Sequence, residues 1–172
     1  MATPQIASPL TKAPSGLARL NARVPAKVSR RRALALLGWP GRSAWLGEVV
    51  EGEAGEGQMR HLIDLKLRVG DQTPRVTFRK AAYVDVGPPA GRQPEPITVG
   101  ISWRAAGLAP LFPVFSGTLT WADGDLSLDG FYAPPGGGVG IVADRLLLNV
   151  AARGTARLLL ERIAAAMLDE AA

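Results

Sequence analysis

The sequence contains no cysteine and only one histidine among its 172 residues. The absence of cysteine excludes a disulfide scaffold, a cysteine-zinc site and thiol catalysis. Aromatic residues make up only 6% of the chain, and no apolar run reaches the roughly 18 residues of a bilayer-spanning helix. Any chemistry must therefore come from other groups, and neither a metal nor a cofactor is predicted.

Acidic residues are also missing from the front of the chain. Residues 1–42 hold eight lysines or arginines and no acid, which leaves 12 bases against 15 acids in residues 43–172. The formal net charge of +5 therefore lies at the N-terminal end. Because this region lacks stacking aromatics and a recognised DNA-binding module, nucleic acid is not a predicted partner. Docking of the face formed by Arg30, Arg31 and Arg32 on an acidic partner or membrane stays an alternative.

Residues 1–16 show no periodicity and are predicted to form a disordered tail, followed by a single domain over residues 17–172. Alternation of apolar and polar residues at 19–24 predicts a short strand. Two short helices are predicted next, capped by the side chains of Ser29 and Ser43.

The segment 29–38 (SRRRALALLG) is similar to a twin-arginine export signal. Its apolar stretch is short, however, Pro40 and Arg42 interrupt it, and no clear cleavage site follows. An amphipathic helix is therefore the preferred interpretation, and a cytoplasmic location is expected.

Five further strands are predicted from alternating residues at 60–69, 76–86, 97–104, 115–121 and 126–132. Asp123 and Gly124 between the last two form the strongest short-range hairpin signal. From residue 139 to 168, polar residues recur at four-residue spacing, which predicts one long C-terminal helix. Val150 and Gly154 are expected on its inner face.

The order of strand, two short helices, five strands and a long helix resembles the helix-grip proteins of the START and polyketide-cyclase superfamily (SRPBCC). The resemblance covers residues 17–170, and its most suggestive residues are Trp103, Phe112-Pro113, Gly117-Thr118-Leu119, Leu128-Asp129-Gly130-Phe131-Tyr132, Pro134-Pro135, Gly138, Gly140 and Asp144. It implies an α+β fold in which a curved antiparallel sheet wraps around the long C-terminal helix. It also implies a pocket for an apolar molecule such as a lipid, a polyketide or an aromatic compound, without a shared catalytic residue.

Side chains predicted to face this pocket form the candidate binding site, and no residue is assigned a catalytic role. They are His61, Phe78, Lys80, Trp103, Phe115, Trp121, Tyr132, Val150 and Gly154. Gly117 and Gly130 are expected to let the sheet bend and to leave room above it. Close packing of helix on sheet without a ligand is the alternative.

His61 and Lys80 each allow two interpretations. An inward histidine can act as a general base or bind a ligand, but more often it is a core residue satisfied by a neighbour. Lys80 could meet a ligand carboxylate, or a bulge at Arg79 and Lys80 could return the charge to solvent. The predicted function is binding of an apolar small molecule. The alternative is an enzyme in which His61 or Tyr132 transfers a proton.

Overall fold

The structure, a computed structural model, describes residues 16–39, 42, 45–52, 54, 57–69, 76–107, 114–133 and 142–169, without the side chains of 66–69, 76–79, 142–149 and 151. The predicted disordered tail lies outside these ranges except for Gly16. The elements are β1 (Ala18–Pro25), α1 (Arg30–Leu37), β2 (Met59–Val69), β3 (Val76–Ala90), β4 (Ile97–Ala105), β5 (Val114–Ala122), β6 (Asp125–Ala133) and α2 (Val142–Asp169).

The six strands form one antiparallel sheet in the order β1-β6-β5-β4-β3-β2. The predicted α+β class is therefore confirmed, and the architecture is consistent with a helix-grip fold.

Asp123 and Gly124 connect β5 to β6 with φ angles of 49° and 82°. Positive φ at both positions is typical of the two-residue hairpin turn that the Asp-Gly pair predicted.

Helix α2 packs on one face of the sheet, against β1, β2 and β6. Because β1 and β2 are the two edge strands, contact with both requires the sheet to curve around the helix. The residues of α2 that are buried recur every three or four positions and are Ala152, Thr155, Ala156, Leu159, Leu160, Ile163, Ala164 and Met167. No helix in the described ranges is long and apolar enough to cross a membrane.

This buried stripe corrects the predicted rotation of α2 about its axis. Val150, expected on the inner face, is 43% exposed, and Gly154 is half-buried, beside the stripe rather than within it. The prediction followed the larger apolar residues, such as Leu158, which is also half-buried. Three of the eight buried residues that the structure describes in α2 are alanines, and the others include Leu159, Leu160, Ile163 and Met167.

Helix α1 begins as predicted, since the Ser29 side chain accepts a hydrogen bond from the Arg32 amide at 3.3 Å. The second short helix is not confirmed. Among the described residues of that segment, the amides of Trp45 and Leu46 donate to the Arg42 carbonyl and close one turn. Val49 then forms an antiparallel bridge with His61.

Three N-terminal arginines bind backbone carbonyls. Arg42 is buried and donates from Nε to Leu37 O at 2.7 Å and from Nη1 to Val86 O at 3.2 Å. Burial lowers the pKa of this guanidinium. Arg30 Nη2 donates to a carbonyl of the β3–β4 connection at 2.9 Å, and Arg32 Nε donates to a carbonyl near the end of α2 at 3.1 Å. Much of the N-terminal positive charge thus contributes to holding the fold together.

The bulge expected at Arg79 and Lys80 is absent, because β2 and β3 pair without a break from Met59 opposite Val86 to Val69 opposite Val76. The irregularity lies instead between Val86 and Pro89 in the pairing of β3 with β4. Prolines lack the amide that a regular ladder needs, and they are tolerated where a bulge interrupts the ladder. Lys80 therefore keeps the inward parity of its strand and is half-buried.

Candidate functional site

One line of directly paired residues crosses the inner face of the whole sheet, and we call it the inner row. From β2 to β1 it consists of His61, Val84, Trp103, Phe115, Tyr132 and Ala18. Residues paired in this way in antiparallel strands project from the same face. The first five are buried and Ala18 is partly buried. Four of the nine predicted site residues thus meet in one line.

His61 is 0% exposed, and its ring is held from one side. Nδ1 lies 3.1 Å from the carbonyl oxygen of Gly47. Because a carbonyl can only accept, Nδ1 carries the hydrogen of this bond. The other ring nitrogen, Nε2, is buried and has no hydrogen-bond partner. His61 therefore presents an unused polar atom to the interior of the domain.

Trp103 lies two strands from His61 and is 2% exposed. Its ring stacks on that of Phe115, with the centroids 4.1 Å apart and the planes inclined by 20°. The indole Nε1–H is buried and makes no hydrogen bond. An indole nitrogen can only donate, so the second unused polar atom of the inner row is a donor.

Each unused atom opposes folding, because a buried polar group without a partner costs about 1–3 kcal/mol. Such groups are few in natural proteins, and a bound molecule or water is a common reason for them. In the part of the chain that the structure describes, Trp45 and Trp121 are also buried, but their indole nitrogens donate to carbonyls at 3.0 and 3.1 Å. In the inner row, by contrast, His61 Nε2 and Trp103 Nε1 have no hydrogen-bond partner.

Tyr132 places a phenol at the β6 position of the inner row and is 2% exposed. Burial raises the pKa of this phenol, and the positive charge of Arg153 on α2 opposes part of the rise. The neutral hydroxyl is thereby favoured at neutral pH. Tyr132 can donate or accept a hydrogen bond without bringing a charge into the interior.

Gly117 and Gly130 lie opposite each other on β5 and β6, next to the inner row. A Cβ built on Gly117 would lie 2.6 Å from the Phe115 ring and 2.3 Å from the carbonyl oxygen of Asp129, and one on Gly130 would lie 2.7 Å from the same ring. The expectation that these glycines leave room above the sheet is therefore wrong at this point. Phe115 and the close approach of the two strands fill that space.

The other predicted site residues lie apart from the inner row. Trp121 is three inner-face positions from Phe115 along β5, roughly 20 Å at about 3.3 Å per residue, and its indole donates to Ala26 O. Lys80 and Phe78 precede Val84 on β3 by four and six residues, and the Phe78 side chain is outside the described part. Val150 is exposed and Gly154 is half-buried on α2.

Sequence reasoning missed the two groups that define the environment of His61. The Gly47 carbonyl orients the ring, and Val84 separates His61 from Trp103. The alternation of β3 indicates the inward direction of Val84, but no local signal identifies the carbonyl of Gly47. Among the described residues, no three histidine or acidic side chains are grouped so that they could hold a metal ion.

No protein-family model matches this chain, and no curated protein sequence matches it. Among solved structures, the chain is similar to DynU16, a protein of the dynemicin biosynthetic locus, with 15% sequence identity and a TM-score of 0.43. The match covers 91% of this chain and 49% of DynU16. The chain thus spans about half the length of that protein.

Proposed function

We propose that this protein binds a small apolar molecule between the inner face of its sheet and helix α2. The observation that supports the proposal most is the pair of unused polar atoms, His61 Nε2 and Trp103 Nε1, which are buried beside the apolar core. Binding sites for small molecules combine an apolar lining with a few polar groups of this kind. A core that served only for packing gains nothing from leaving them without partners.

The way α2 contacts the sheet gives independent support. The helix contacts β1, β6 and β2, whereas Val84, Trp103 and Phe115 of the inner row lie on β3, β4 and β5. A small molecule would lie over Val84, Trp103 and Phe115, with His61 and Tyr132 at its sides. Trp121, Val150 and Gly154 are not part of the proposed contact surface, for the reasons of position given above, and Lys80 would lie beyond one end of it.

The proposal is tested with the pair Ala82→Leu and Ala81→Leu. Ala82 is fully buried on the inner face and precedes Val84 by two residues on β3. Ala81 is half-buried and faces the other side of the sheet. Leucine at 82 should occupy space needed by a ligand. Leucine at 81 makes the same chemical change on the opposite face and serves as the control. Native mass spectrometry and organic extraction measure the bound small molecule in each protein.

We expect wild type and Ala81→Leu to carry or take up an apolar ligand, and Ala82→Leu to lose it with unfolding free energy changed by less than about 1 kcal/mol. In a closely packed core the leucine would instead overpack the interface and cost about 1–3 kcal/mol. Ligand retention by Ala82→Leu together with such a loss of stability would contradict the proposed position of the binding site.

A second candidate, an enzyme acting on the same kind of molecule, is favoured by the orientation of His61. Its Nδ1–H is fixed by the Gly47 carbonyl, and this leaves Nε2 available as a base, the arrangement that general base catalysis requires. Tyr132 in the same row would be the second proton-transfer group. Substrate turnover abolished by His61→Phe, with ligand binding retained, would support catalysis. Equal turnover by this variant and wild type would exclude His61 as the base.

A further inference from the structure

We infer, resting on the proposed function, that the ligand is a ring compound carrying a hydroxyl group, and that His61 Nε2 and Trp103 Nε1–H bind this hydroxyl together. The inference extends the proposed function from an apolar molecule to a particular chemical class. It depends on the different hydrogen-bonding roles of the two nitrogens and on their common position in the inner row.

The two unused nitrogens need opposite partners. Nδ1 of His61 donates to the Gly47 carbonyl, so in the neutral ring Nε2 has a lone pair and must accept a hydrogen bond. Nε1 of Trp103 carries a hydrogen and must donate. One group that both donates and accepts can therefore satisfy both atoms, and a hydroxyl is the simplest such group.

The inference places one ligand group between the two side chains. His61 and Trp103 flank Val84 on neighbouring strands, which places their Cα atoms about 10 Å apart at the usual strand spacing. Both side chains are long and project from the same face. Val84 between them is short and apolar, so β3 offers no polar group of its own at this position.

Other oxygen groups fit less well. An ether or ketone can accept from Trp103 but has no hydrogen for His61. A carboxylate also lacks that hydrogen, and it would bring a negative charge beside the Nε2 lone pair. The stacked rings of Trp103 and Phe115 add a flat apolar wall, which favours a ring compound over a flexible chain.

Three probes that share one ring system separate these possibilities: 2-naphthol, 2-methoxynaphthalene and 2-methylnaphthalene. The first can donate and accept, the second can only accept, and the third can do neither. Titration calorimetry on the wild-type protein should give the highest affinity for naphthol, with about a fivefold to tenfold drop at each step of the series, since one hydrogen bond contributes about this factor.

Substitutions then show which of the two nitrogens is responsible for each drop in affinity along the probe series. His61→Phe should lower the affinity for 2-naphthol alone, because only naphthol donates to Nε2. Trp103→Phe should lower the affinities for 2-naphthol and 2-methoxynaphthalene more than that for 2-methylnaphthalene, which loses only part of the apolar wall. Trp39→Phe makes the same substitution at a tryptophan that is 56% exposed, and it should change none of the three affinities.

The results distinguish the inference from the proposed function. Equal binding of all three probes by wild type would overturn the hydroxyl inference while supporting an apolar binding site. Binding of none of them would overturn both. If either variant fails to fold, the wild-type series still decides the question, because an order other than naphthol, methoxynaphthalene and methylnaphthalene contradicts the inference.

Discussion

Three tryptophans are buried in the described parts of the chain. The indole N–H groups of two of them have a hydrogen-bond acceptor, and that of the third has none. The indoles of Trp45 and Trp121 each donate to a backbone carbonyl, of Leu36 and Ala26 respectively. Trp103 lies in the inner row and donates to nothing. All three side chains are buried to a similar extent. Burial alone therefore does not determine whether the polar edge of the ring is satisfied.

The comparison separates a part of the core in which the buried indole N–H groups are hydrogen-bonded from a part in which one is not. Around Trp45 and Trp121 the polar edges of the buried rings are paired within the protein, as is usual in a folded core. Around Trp103, the stack on Phe115 fixes the ring while the indole nitrogen stays unused. The two regions thus differ in whether the polar edge of a buried tryptophan is paired within the protein.

The largest expected effect comes from replacing each of these tryptophans by phenylalanine in ligand-free protein. Trp45→Phe and Trp121→Phe should each cost about 2–4 kcal/mol of unfolding free energy, because a cavity forms and a buried carbonyl loses its donor. Trp103→Phe should cost about 1–3 kcal/mol less than either, because it removes a nitrogen that had no partner. Urea denaturation followed by circular dichroism measures all three.

The three substitutions control one another, since the lost ring volume is the same. Equal losses of stability at the three positions would show that the Trp103 nitrogen has a partner in solution. The comparison between the two regions would then fail, and with it the main support for the proposed binding site.

A smaller effect is expected from Tyr132, whose pKa is raised by burial from the ordinary value of 10. Between the pKa values of the unfolded and folded states, the folded state holds the proton more tightly, so stability falls as pH rises. This contribution is fully present below pH about 10 and is lost above it. Wild type should therefore lose stability relative to Tyr132→Phe when denaturation is measured from pH about 9 to 11.

Tyr83 provides the matched control for this titration, because it lies on the outer face, where Arg60 and Arg104 stack on its ring. Tyr83→Phe should retain the loss of stability above pH 10 that Tyr132→Phe removes. The same loss in wild type and Tyr132→Phe would show that the phenol of Tyr132 is open to water.

The smallest effect is expected at Gly154 on helix α2. Because Gly154 lies beside the buried stripe of α2, Gly154→Ala should raise the unfolding free energy by up to about 1 kcal/mol through improved helix propensity. Thermal denaturation with Gly154→Ser as the comparison measures this gain. A loss of stability in both variants would place Gly154 in close contact with the sheet.

The strands could be predicted from the sequence because apolar and polar residues alternate along each of them. Residues 19–24 and 97–104 alternate between apolar and polar, and Asp123-Gly124 predicts a turn. In each case the neighbouring residues alone are enough for the prediction. The rotation of α2 about its axis could not be predicted in the same way, because apolar residues of the helix itself occur on all of its sides. Alanine and leucine each occur on both the buried and the exposed sides of α2, so residue type alone does not identify the inner face.

The inward direction of His61, Trp103, Phe115 and Tyr132 also follows from alternation, although their placement in one row does not. That row depends on the register of five strand pairings, which are set by turns and long-range contacts. Whether a buried nitrogen finds a partner is less predictable still. For His61 it depends on the carbonyl of Gly47, which is 14 residues away in a segment without regular structure.

The glycine pair on β5 and β6 has a consequence for how this sequence can change over time. The atoms that exclude a side chain at Gly117 and Gly130 include the backbone oxygens of Asp129 and Ser116, at 2.3 and 2.4 Å from the built Cβ atoms. Main-chain atoms are present whatever residue occupies a position, so no second substitution in the facing strand can compensate. We expect related sequences to vary freely in the aromatic residues nearby while both positions stay glycine, which makes the pair a marker for recognising distant relatives.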